Sequence, residues 1–147
     1  MAEAIARRSA VRRPSLYASV AYEGADADDG MIASARDFTA DFLAAAPASG
    51  RGPVSRERID LARLVVSELV TNAVRHAPGP CRVTLELFDG ALEISVFDRL
   101  DASPVPRAHD PRRIGQHGVE IVLAVCESVS VEPQPSGKRV RARLSLA

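Results

Sequence analysis

Tryptophan is absent from the chain, tyrosine occurs twice and phenylalanine four times, leaving aromatic residues at 4% of 147 positions. So few rings exclude the base-stacking platforms that grip single-stranded nucleic acid. Lysine plus arginine and aspartate plus glutamate stand at 19 each, a net charge of zero. That balance gives no support for direct nucleic-acid binding or for an anionic membrane surface as partner. No apolar run is long enough to span a bilayer, and no signal-peptide core follows Met1. The two cysteines, Cys81 and Cys126, are too few for a disulfide framework and have no metal-ligand spacing around them. They point to reduced, buried thiols and a cytoplasmic home.

What is present is ordinary for a globular domain: 46% hydrophobic and 26% charged residues. A chain of this length buries about 68–70% of its unfolded surface and forms one domain. Residues 1–14 carry Arg7, Arg8, Arg12 and Arg13 with few apolar anchors and form a loose basic arm. Residues 15–147 form the domain.

The organising stretch is Arg58–Ala77, RIDLARLVVSELVTNAVRHA. Ile59, Ala62, Val65, Val66, Leu69, Val70, Ala73 and Val74 share one face of a helix, with Ser55 as its N-cap and Pro78, Gly79 and Pro80 closing it. Glu68 and Asn72, four residues apart, stand together on the other side near Arg75, with Leu61 and Leu64 one to two turns earlier. An amphipathic helix with its polar side in water has the same pattern. Ahead of it, Ser15–Tyr22 alternates like a strand. Met31–Ala46 reads as a helix with Ala35, Phe38 and Phe42 on a core stripe.

Beyond Pro80 the period becomes two. Val83, Leu85 and Leu87 alternate, Asp89-Gly90 makes a hairpin turn, and Leu92, Ile94 and Val96 alternate in the next strand. One further step of the same parity reaches Asp98, a carboxylate on an aliphatic face. Such a group needs a partner or a special environment, although strands also end in aspartate for turn chemistry. Residues 100–116 form a long segment with Pro104, Pro106, Pro111 and the cations Arg112 and Arg113. Gly115 and Gly118 then open an apolar helix, an arrangement that aims backbone N–H groups at an anion. The chain ends in a hairpin whose last strand turns Val140, Ala142, Leu144 and Leu146 inward. Arg139, Arg141 and Arg143 face outward, most simply as solvated positions. Two strand pairs of the same inward parity indicate a two-layer arrangement.

The run Glu68-Leu69-Val70-Thr71-Asn72-Ala73-Val74-Arg75-His76-Ala77 resembles the N box of the GHKL ATPase superfamily. Within it, the sequence is most similar to the small histidine-kinase-like ATPases of the anti-sigma-factor serine/threonine-kinase type. The resemblance covers roughly residues 35–146. It implies an α/β, two-layer α+β sandwich of the Bergerat type, with helices on one face of a mixed, mostly antiparallel sheet. ATP and Mg²⁺ would sit between the sheet and the Glu68 helix. It implies that Glu68 is catalytic, polarising the attacking group, and that Asn72 holds Mg²⁺ against the triphosphate. One amide oxygen plus phosphate oxygens and waters suits that ion. Arg75 falls among the nucleotide-binding residues, and Asp98 would accept a hydrogen bond from the adenine amino group. Gly115, Gly118 and Val119 correspond to the second glycine box, and residues 100–116 to the lid over the triphosphate. This chain lacks the glycines usual after the aspartate, has Gln116, His117 and Val119 where the box usually differs, and lacks the tryptophan common near the end. The implied partners are a sigma factor, an anti-sigma-factor antagonist phosphorylated on Ser or Thr, or both, with a homodimer possible. The alternative is a non-catalytic nucleotide-binding or protein-interaction module of the same fold.

Overall fold

A computed structural model of the chain describes residues 13–22, 28–46, 52–76, 80–99 and 116–147, without the side chains of 28, 29, 76, 99 and 116–119. The element order is β1 (Leu16–Tyr22), α1 (Asp28–Ala44), α2 (Arg56–His76), β2 (Cys81–Phe88), β3 (Ala91–Arg99), α3 (Gln116–Val125), β4 (Ser128–Gln134) and β5 (Gly137–Ser145). The strands form one sheet in the order β1-β2-β3-β5-β4, and every pairing among the described residues is antiparallel. The helices provide the second layer.

Alternation sets which face is buried. Val83, Leu85 and Leu87 of β2, Leu92, Ile94 and Val96 of β3, and Val140, Ala142 and Leu144 of β5 are all buried. Their register partners across the strands share the face, for example Leu85 with Ile94 and Ile94 with Ala142. Against it α2 buries Ala62, Val65, Val66, Leu69, Val70 and Ala73, α1 buries Met31, Ala35, Phe42 and Leu43, and α3 buries Val122. Each large aliphatic side chain removed from water contributes about 1.5–3 kcal/mol. Phe38 packs against this core from the edge. Thr39, also buried, donates its hydroxyl to the Ala35 carbonyl at 2.8 Å, satisfying a polar group inside α1.

Local signals explain most boundaries. Ser55 caps α2: its Oγ accepts from the Arg58 N–H at 3.2 Å and its carbonyl accepts the first ladder bond from Ile59 at 3.0 Å. The helix therefore starts two residues before the expected Arg58. The β2–β3 hairpin turns at Asp89-Gly90, where Gly90 has φ 82°, the left-handed region a side chain would strain. The α1 boundaries shift forward, from the expected Met31–Ala46 to Asp28–Ala44. Gly118 and Val119 lie inside the first turn of α3, at the opening of the apolar helix. Gly115, the segment 100–115 with Arg112 and Arg113, and the arginines of residues 1–12 lie outside the described residues.

The outer sheet face departs from expectation. Arg139, Arg141 and Arg143 are not freely solvated; their side chains are 25%, 37% and 25% exposed and interlock with two glutamates. Arg139 Nε donates to Glu132 Oε1 at 2.9 Å, Arg141 Nη2 to Glu132 Oε2 at 2.7 Å, and Arg143 Nη1 to Glu93 Oε2 at 2.8 Å. Two of the guanidiniums also cover rings, Arg139 over Phe97 at 5.5 Å and Arg143 over Phe88 at 5.4 Å. Partial burial pushes the Glu132 carboxyl up, but the hydrogen bond and charge of Arg139, with Arg141 and Ser130 adding, hold it below the usual range.

Candidate functional site

Helix α2 crosses the inner face of β2, β3 and β5. Its buried stripe fixes its rotation, which places Glu68 and Asn72 together, both half-buried. The Asn72 Oδ1 is buried and has no hydrogen-bond partner among the described residues. An unsatisfied buried acceptor costs about 1–3 kcal/mol. Arg75, in the last turn, is exposed. Of the two leucines near the polar side, Leu61 packs against the core and Leu64 remains 37% exposed.

Asp98 is the sharper feature. It is 4% exposed, at the inward-facing end of β3. Its register neighbours are Cys81 on β2 and Lys138 on β5, so the three form a row across the sheet. Lys138 Nζ donates to Asp98 Oδ2 at 2.9 Å, and this ion pair offsets the cost of burying the carboxylate. The other oxygen, Oδ1, is buried and has no hydrogen-bond partner among the described residues. On the other side, the Cys81 thiol contacts the Met31 sulfur at 3.6 Å. Burial, and then the negative charge of Asp98, push that thiol up to about 11. Cys81 is therefore an inert, protonated wall of the site at neutral pH.

A cleft of about 440 Å³ opens at this end of the sheet, lined by Ala21, Pro80, Cys81, Phe97, Asp98, Gln134 and their neighbours. Neither Glu68 nor Asn72 is among the described residues lining it. The structure thus brings Asp98 to a cavity and the two polar residues of α2 to one helical stripe. Gly118 and Val119 begin α3, and Gly115 lies outside the described residues.

The family model of the histidine kinase-like ATPase domain matches residues 26–144. The chain belongs to that family. The match runs through every element from α1 to β5, and it places the chain in the GHKL superfamily. Domains of this superfamily bind ATP generally, usually with Mg²⁺. Among solved structures, the Acinetobacter baumannii histidine kinase AdeS is similar at 17% identity and a TM-score of 0.47, over 97% of this chain and 73% of that one. The histidine kinase domain of the Erythrobacter litoralis EL346 blue-light activated histidine kinase is similar at 19% identity and a TM-score of 0.47, over 85% and 76%. No curated protein matches.

The side chains present in this histidine kinase-like ATPase domain fit the nucleotide and its metal. Two buried oxygens without partners are both acceptors, the amide of Asn72 and the carboxylate of Asp98. The first is a hard ligand of the kind Mg²⁺ takes, and the second suits an amino donor. Lys138 was not singled out as a site residue from the sequence. The signal was there, because two steps back from Val140 in the parity Val140, Ala142, Leu144 is Lys138. The α-helical layer contains no helix long and apolar enough to cross a membrane among the described residues.

Proposed function

We propose that this ATP-binding domain is a cytoplasmic regulatory serine/threonine kinase of the anti-sigma-factor type. It would sequester a sigma factor and phosphorylate an antagonist protein on a serine or threonine hydroxyl. The observation that carries the reading is the buried carboxylate of Asp98, one oxygen of which has no hydrogen-bond partner among the described residues, in a family whose domains bind ATP. Asp98 would hold the adenine amino group, and Asn72 would present its amide oxygen to Mg²⁺. Bound MgATP supplies the phosphoryl group. Glu68, one turn before Asn72, would orient the partner's hydroxyl and accept its proton. Arg75 is exposed at the end of α2, where a guanidinium meets phosphate oxygens readily. Gly115, Gly118 and Val119 would bring backbone N–H groups of the α3 start toward the phosphates.

The test couples binding to transfer. Titration calorimetry with ATP and ADP, with and without Mg²⁺, should give binding that Mg²⁺ strengthens in the wild type. Asn72→Ala should lose more of the Mg-nucleotide affinity than of the metal-free affinity. Glu68→Gln should still bind ATP, while transfer of labelled phosphate to the antagonist falls about 10²–10⁴-fold, the usual contribution of a positioned base. Wild-type protein that binds ATP and the antagonist but transfers nothing would be a non-catalytic module. Absence of nucleotide binding up to high micromolar concentrations would end the proposal altogether.

A further inference from the structure

The two edges of the sheet among the described residues are built differently. β4 forms one of them and carries Glu132 and Pro133, a charge and a residue without an N–H, both of which discourage a further strand. β1 forms the other with Leu16-Tyr17-Ala18-Ser19-Val20-Ala21-Tyr22, which contains no charge, proline or glycine. It pairs with β2 without a bulge, from Leu16–Leu87 to Tyr22–Cys81, and has no second neighbour among the described residues. Burial also stops short here. Cys81, Val83, Leu85 and Leu87 of β2 are buried, while Leu16, Ala18, Val20 and Tyr22 on the same face are only partly so. On the opposite face of β1, Tyr17 is 59% exposed and Ala21 is exposed too. We propose that β1 is a self-association edge, to which a second copy of this chain adds its own β1 antiparallel, joining the two sheets edge to edge.

The occupant follows from the strand itself. A two-fold axis through Ser19, perpendicular to the sheet, sets Ser19 against its copy, Ala18 against Val20, Tyr17 against Ala21 and Leu16 against Tyr22. Residues opposite each other in antiparallel strands lie on the same face. This register therefore continues the apolar face of one sheet into that of the other, whereas a slip of one residue sets apolar positions against outward ones. The ring of Tyr17 meets the small side chain of Ala21, and the two-fold axis makes that contact twice. No two charges face each other along the seam. A second copy is the occupant whose alternation matches by construction, since each molecule both offers the edge and fills it. The inference goes beyond the proposed function and does not depend on nucleotide binding.

The experiment is sedimentation equilibrium of the full chain from about 1 to 300 μM. The wild type should show a monomer–dimer equilibrium within that range, because a single strand pairing is a small interface. Tyr17→Lys combined with Ala21→Lys sets like charges opposite each other twice and should weaken the dimer about tenfold or more. Tyr17→Lys combined with Ala21→Glu sets opposite charges there and should dimerise about tenfold more tightly than the doubly basic variant. Both positions already face water, so the monomer should fold in either variant. A wild type that stays monomeric throughout overturns the proposal. Equal dissociation constants for the two variants place any contact between copies elsewhere and overturn it too. Hydrogen exchange of the wild type decides the case even if a variant does not fold. On concentration, amides of β1 should gain protection severalfold while those of β4 do not. Protection that rises on β4 instead, or on neither edge, overturns the proposal.

Discussion

The two faces of one sheet handle charge in opposite ways. On the outer face, three arginines of β5 share their charges with Glu93, Glu127 and Glu132, and Arg141 and Arg143 each reach two of these carboxylates. On the inner face one carboxylate, Asp98, is 4% exposed and holds a single lysine at 2.9 Å. Ion pairs that remain in reach of water are individually worth little, so the outer ladder tolerates change. A lone buried charge is expensive unless something uses it. Charge that is cheap points to solubility and packing, and charge that is costly points to the site.

The largest test of that contrast deletes inner-face volume. Ile94→Ala, at a fully buried position of β3, should destabilise the domain by about 2–5 kcal/mol in urea unfolding followed by circular dichroism. A loss below 1 kcal/mol would mean that the inner face is not the packed one.

A middle-sized effect comes from pH. The Cys81 thiol rises from 9.0 to about 11 on folding, so the fold favours the neutral form. The unfolded chain ionises first, and the stability from this group is complete below pH 9 and lost as pH climbs from 9 to 11. Two pH units of difference correspond to about 2–3 kcal/mol. Urea midpoints at pH 7.5 and 10.5 should therefore differ, and Cys81→Ala should remove part of the difference. Cys126 and Tyr22, both raised mainly by burial, supply the remainder. Identical slopes in wild type and variant would place Cys81 in contact with water.

The smallest effect belongs to the outer face. Arg141→Ala breaks its pairs with Glu132 and Glu93 yet should cost only about 0.2–1 kcal/mol, less in 1 M salt. A loss comparable with that of Ile94→Ala would erase the distinction between the faces.

Much of this was legible before any coordinates. Alternation in Val83–Leu87 and Leu92–Val96 names the inner face, and its continuation names Asp98. Ser55 and the Asp89-Gly90 pair mark a cap and a turn by local chemistry. That Lys138 faces Asp98 was not read from the sequence, because the pattern was followed only through aliphatic residues and because the β3–β5 pairing joins segments far apart in the chain. The same distance hid the glutamate partners of the outer arginines: Glu93 lies on β3 and Glu132 on β4, either side of β5. The expected lid and most of the basic arm, segments 100–115 and 1–12, lie outside the described residues.

The strand order carries a consequence for biosynthesis. β5 is the last strand of the sheet to leave the ribosome, yet it sits between β3 and β4. Until it emerges, the hydrogen-bonding edge of β3 stays open and β4 has no neighbour in the sheet. Lys138 is also still missing beside Asp98. A nascent chain halted before β5 therefore exposes an unpaired apolar strand, a template for pairing with another chain. Closure of the sheet and neutralisation of the buried Asp98 carboxylate arrive in the same event, after the other described strands have been made.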